Sequence, residues 1–179
     1  MSDKPLETHL TYFGISPWEI EVVYGLLNSR FKVIQNEIES EEDSELASML
    51  NMDIPLPFNE EFFKWFEYSR WDKMKFLFKE MKRRRGGKHA IKIQINFSGT
   101  PKISFIVDSN EKQWYEKAIE KIDFVLELLP FHLEPEKLPN DVTRVVYHFD
   151  LEHVRWSLNI AYSGQKKFEL KNNSWQLVT

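Results

Sequence analysis

The sequence predicts a single α+β domain spanning residues 1–179, with N-terminal helices followed by ββ-α-ββββ, a mainly antiparallel sheet covered by helices on one face. Three observations predict it. Apolar residues recur at spacings of three and four from Ile20 to Ile38, and again through an aromatic-rich stretch ending at Arg85. Apolar and polar residues alternate strictly from Ile91 to Val107 around a short glycine-containing loop. Four more alternating stretches, separated by turn residues, run from Val145 to Leu177.

The first helix is expected at Ser16. Its hydroxyl can cap, Pro17 suits the first helical position, and Glu19 completes a capping box. Ile20, Val23, Leu27, Phe31, Ile34 and Ile38 form its buried stripe, and Leu46, Met49 and Leu50 form a further turn or two. Ile54-Pro55-Leu56-Pro57-Phe58 cannot continue a helix, because proline lacks the N–H and restricts the residue before it. A second helix is expected from its cap Asn59 to about Arg85, with Gly86-Gly87 as the stop. Lys64, Tyr68, Lys75, Lys79 and Lys82 share its polar arc.

Ile91, Ile93, Ile95 and Phe97 then face one way, as do Ile103, Phe105 and Val107. The three-residue loop between them sets Phe97 opposite Ile103. A third helix is expected from the cap Asp108 to Leu129, ended by Pro130, with a loop over 130–141. The last four strands follow, with Asn172-Asn173 as a two-residue turn. Residues 1–58 thus read as an acidic helical N-terminal region, and 59–179 as an aromatic helix plus sheet scaffold.

Composition narrows the function. Hydrophobic residues make up 42% of the 179 residues, enough for one substantial core. Cysteine is absent, which excludes disulfides, thiolate metal sites and cysteine nucleophiles. No stretch is long and apolar enough to span a bilayer, and the N-terminal residues lack a secretory pattern, so a cytoplasmic protein is expected. The net charge of −4 hides an asymmetry: residues 1–78 hold 15 acids and 7 bases, and the remainder 13 acids and 17 bases.

The densest chemical feature is the basic junction Lys82-Arg83-Arg84-Arg85-Gly86-Gly87-Lys88-His89. Between Lys64 and Lys88 there are 10 bases and 3 acids. Such density can neutralise phosphates, and arginine can clamp them with paired donors. Lys75, Lys79, Lys82, Arg83, Arg84, Arg85 and Lys88 are the expected anion contacts, with Tyr68 and Trp71 bordering them as stacking surfaces. The plainer reading is that bases suit a helix C-terminus, where they complement its dipole. The glycines precede a strand, so the segment is no phosphate-cradling loop. On the presumed open sheet face, Lys92, Lys102, Arg144, Arg155, Lys167 and Lys171 outnumber the evident acid, Glu169. That face lacks outward aromatics, so a solvated surface is expected. The apolar arc of the second helix is wide enough for burial under the sheet, which argues against contact with a membrane surface.

His148, Asp150 and His153 lie in a hairpin and are the one candidate metal site, with an ordinary polar hairpin as the preferred reading. The acidic tract Glu37–Glu45 lacks the spacing and central glycine of a calcium loop. Hydrolase, zincin and dinucleotide motifs are missing. The expectation is a non-enzymatic binding protein, without a cofactor, that contacts nucleic acid, another polyanion or an acidic protein through the basic junction. One alternative is a protein–protein adaptor or assembly factor using the acidic N-terminal region. Another is a metal-dependent enzyme at the His148–His153 hairpin. Val22, Leu26 and Val33 form an outward stripe that suits a partner or a second copy of the chain.

Overall fold

A computed structural model describes residues 4–40, 46–86 and 90–179. Nine strands form one sheet: β1 (Glu7–Phe13), β2 (Lys32–Glu37), β3 (Leu46–Ile54), β4 (Ala90–Phe97), β5 (Lys102–Val107), β6 (Arg144–Asp150), β7 (Arg155–Ser163), β8 (Lys166–Lys171) and β9 (Ser174–Val178). Their spatial order is β2-β1-β3-β4-β5-β6-β7-β8-β9. The helices are α1 (Pro17–Asn28), α2 (Glu60–Phe66), α3 (Tyr68–Arg85), α4 (Lys112–Glu120) and the short α5 (Leu129–His132). Of these, α1, α3 and α4 pack side by side on one sheet face.

Four parts of the expected fold are corrected: the sheet pairing, the N-terminal region and two helices. The sheet is mixed, because β1–β2, β3–β4 and β5–β6 pair in parallel. Each of those pairs is joined by a helical crossover, and a crossover returns the chain in its original direction. The N-terminal region is not a run of helices: α1 sits alone between strands. The chain leaves α1 after Asn28, buries Phe31 and enters β2, whose Val33 and Ile34 are β-branched. Their spacing matches a continuing helix equally well, which is why the sequence misleads there. In β3, Leu50, Met52 and Ile54 are buried while Asn51 and Asp53 face outward, a strand alternation. Val22, Leu26 and Val33 are partly buried and packed against the core.

The expected second helix is broken. Asn59 caps α2 by accepting the N–H of Phe62 at 2.8 Å. Glu67 then takes φ +76°, and α3 starts anew. Arg30 holds the break, donating to the Trp65 carbonyl at 3.0 Å and to Glu67 at 2.6 Å. The kink lays Phe62, Phe63 and Phe66 into the core with Phe58 and Phe97. The third expected helix is shorter than its pattern. It starts after Glu111, ends at Glu120 and gives way to a 3-10 turn over Asp123–Glu127, and Pro130 opens α5 instead of ending a helix.

Two of the hairpins match expectation, while in β6–β7 a register shift at Val146–Tyr147 turns Ile160 to the other face and Ala161 inward. Phe97 pairs with Ile103, and Asn172 and Asn173 turn between β8 and β9 with positive φ. The core runs along the helix-covered face through Leu50, Ile93, Ile95, Phe105 and Tyr147. The opposite face is mixed, with Ile106, Val146, Ile160 and Tyr162 beside a polar row. Across β3, β4, β5 and β6, Asn51, Asn96, Ser104 and Arg144 form a chain of side-chain hydrogen bonds of 2.6–3.0 Å. No helix among the described residues is long and apolar enough to cross a membrane.

Candidate functional site

A helix turns by about 100° per residue, so the four consecutive bases ending α3 point in different directions. Lys82 points inward. It is 1% exposed, its Nζ reaches the Gly86 carbonyl at 3.2 Å, and burial lowers its pKa. Arg83 points out and donates to Glu80 through Nε at 2.8 Å. Arg85 turns under the start of α1, and Arg84 lies above it at the surface.

Arg85 is the anchor of the corner. Its Nη1 and Nη2 donate to the two carboxylate oxygens of Glu19 at 2.7 and 2.8 Å. Nε donates to Ser48 Oγ at 2.6 Å, and the remaining N–H groups reach the carbonyls of Met81 and Gly14 at 2.8 Å. All five guanidinium donors therefore have acceptors. Glu19 is 1% exposed and also accepts the Ser16 N–H at 2.9 Å, while its own N–H donates to Ser16 Oγ at 3.2 Å. Burial alone would raise its pKa. The hydrogen bonds from Arg85 and Ser16 outweigh that and hold the carboxyl below its ordinary value. Gly14 makes this close approach possible. It has φ +66°, and a Cβ there would lie 2.1 Å from the Ala47 carbonyl oxygen.

Arg84 has no such commitment. Its Nη1 lies 3.4 Å from Ser16 Oγ and 3.6 Å from Glu19 Oε2, the carboxylate already held by Arg85. Its guanidinium sits 5.2 Å from the centre of the Trp18 ring, and Trp18 is 52% exposed. Beside them lies an open cleft of about 540 Å3 between the β1–α1 turn, the start of β3 and the end of α3. The capped N-terminus of α1 faces the same corner, adding the positive end of a helix dipole.

The other residues expected at this surface are dispersed. Lys75 is nearly buried among Asp72, Glu120 and Asp123, 3.4–3.6 Å away. Lys79 pairs with Glu120, and burial lowers its pKa. Trp71 is in the core, its Nε1 3.4 Å from Asp123. Tyr68 is exposed but stacks on Phe63 at the other end of α3. Lys88 and His89 lie outside the described residues, as do residues 41–45 of the acidic tract. Arg84 and Arg83 therefore remain as the accessible bases among the described part of the junction. The sequence gives no reason to add Trp18 or Ser48 to them, since both are brought in from far along the chain. Pro17-Trp18 in the first turn of a capped helix was the only local hint.

The metal candidate divides. His148 lies opposite Ser157, and its Nδ1 is 3.1 Å from Asn159 Oδ1. Asp150 and His153 meet at 2.7 Å, and Glu152 completes a group whose ligand atoms all lie within 4.8 Å of one another. Asp150 already accepts the N–H groups of Glu152 and His153, which makes it the pin of the hairpin turn. No family model, curated protein or solved structure matches this chain.

Proposed function

We propose that this is a non-enzymatic binding protein that contacts a phosphate-bearing polyanion, such as a single-stranded nucleic acid, at the corner of Arg83, Arg84, Trp18 and the α1 N-terminus. One observation carries the reading: the exposed Arg84 guanidinium lies over a half-exposed Trp18 at the rim of an open cleft, with its nearest carboxylate consumed by Arg85. A cation over an exposed aromatic ring suits a phosphate next to a base. Support for a non-catalytic reading comes from three buried titratable groups. Glu19 is fully engaged, and burial pushes the hydroxyls of Tyr115 and Tyr147 far above the usual tyrosine range. It takes the cytoplasm as the compartment in which such a ligand is met.

The test is fluorescence anisotropy with labelled single-stranded RNA over a salt series. Charge reversal must spare Arg85, whose loss would strand Glu19 in the interior. The double variant Arg83→Glu/Arg84→Glu is expected to weaken binding and to flatten the salt slope by about 1 to 1.5. Unchanged binding and slope would contradict the reading.

A second reading, an adaptor for a basic protein partner, is favoured by a groove of about 640 Å3 at the junction of α2, α3 and the 3-10 turn. Tyr68 and Phe124 are exposed along it, and Glu60, Asp123 and Glu127 line it with no base among the lining residues. Tight binding of an amphipathic Leu/Lys peptide, lost in Phe124→Ala/Glu127→Lys, would support that reading. Indifference of the peptide to those changes would oppose it.

A further inference from the structure

The helix layer ends before the sheet does. Beyond α4, the segment Leu128–Leu138 lies over the core face of β7, β8 and β9 and leaves a cavity of about 350 Å3 against them. Trp156, Leu158, Leu170 and Trp175 form the sheet side, and Leu128 and Phe131 form the opposite wall. This volume is at the lower end of the ~300–1,000 Å3 typical of small-molecule pockets.

The polar groups lining the cavity are of one sign or neutral, with Lys137, Arg155, His132 and Ser157 present and no carboxylate. Lys137 is engaged, with Glu134 3.2 Å away and the Phe131 carbonyl at 3.4 Å. Arg155, expected on the open sheet face with Arg144, instead lines this cavity; it is exposed, and its guanidinium has no hydrogen-bond or ion-pair partner among the described residues. His132 Nδ1 is tied to the Tyr147 hydroxyl at 3.0 Å, which leaves Nε2 available. Burial, then the charges of Lys137 and Arg155, holds this imidazole below its ordinary pKa, so it is neutral at pH 7 beside a positive site.

We propose that this cavity binds a small amphipathic carboxylate, with its apolar tail against Trp156, Leu158 and Leu170 and its carboxylate on Arg155. Apolar burial supplies attraction, and the unpaired guanidinium fixes orientation and selects an anion. The site is distinct from the Arg84 corner and does not depend on it.

Octanoate and its uncharged analogue octanamide are the probes, titrated calorimetrically into the full chain. Octanoate is expected to bind at one site, with octanamide about tenfold weaker, since a charge-assisted hydrogen bond contributes roughly that factor or more. Arg155→Gln should bring octanoate to the octanamide level. Leu158→Trp should fill the cavity and abolish both, and Arg144→Gln on the other sheet face should change neither. Absence of octanoate binding, or equal binding of acid and amide insensitive to Arg155→Gln, would overturn the proposal.

Discussion

Arg84 and Arg85 are adjacent in sequence, yet one is a surface cation and the other a buried strut. The difference follows from helix geometry together with what each direction meets: Trp18 and solvent for Arg84, and Glu19, Ser48 and two carbonyls for Arg85. A buried pair adds little over a well-packed apolar pair, but removing one partner leaves an uncompensated charge. Glu19→Ala is therefore expected to destabilise the fold by about 3–5 kcal/mol in urea unfolding at pH 7. The pH dependence follows from the direction of the shift. The Glu19 carboxyl is held below its ordinary 4.5 in the folded chain, so the unfolded chain takes up its proton first as the pH falls. Its contribution is complete above about 4.5 and is lost as the pH drops through the lower folded value, a component that Glu19→Gln should lack. Tyr115 offers the opposite sign. Its hydroxyl is buried and has no hydrogen-bond partner among the described residues, so Tyr115→Phe should be neutral or stabilising by up to about 1 kcal/mol. A clear loss of stability in the same urea assay would show that the hydroxyl is satisfied.

At the scale of elements, the Ser16 capping box was fully legible because its partners lie three residues apart. Ser16→Ala should cost about 1 kcal/mol of stability, read from the urea midpoint. The Phe97–Ile103 register and the Asn172-Asn173 turn were legible for the same reason, since local spacing and turn chemistry fix them. The break at Glu67 was not. Nothing local demands positive φ at a glutamate, and the partner that holds it, Arg30, is far away in sequence. Strand β1 falls outside the elements expected from sequence, although Thr8, Leu10 and Tyr12 are buried in alternation with outward Glu7, His9 and Thr11. Strand β2 has no local signal that separates it from a continuing helix, because Val33 and Ile34 suit both.

The whole molecule rests on parallel pairings that local pattern cannot reveal. Three crossovers join neighbouring strands, and β3 sits between β1 and β4. The N-terminal region is thus built into the sheet. Removing residues 1–58 would strip β1, β2 and β3 and expose the apolar edge of β4. The fragment 59–179 is expected to aggregate, seen as void-volume elution in size-exclusion chromatography, and a monodisperse folded fragment would contradict that. The candidate site was legible only as a basic tract. Its sorting into buried, paired and accessible bases depends on contacts to Glu19, Glu120 and Asp123, which the fold alone supplies.

The most direct test of the polyanion reading is two-dimensional amide NMR of the full chain titrated with a short single-stranded oligonucleotide. Shifts are expected to concentrate at Gly14, Ile15 and Ser16, the Trp18 indole, Ala47 and Arg84. Shifts confined to the open sheet face or to the Leu128–Leu138 segment, with those signals unmoved, would contradict it.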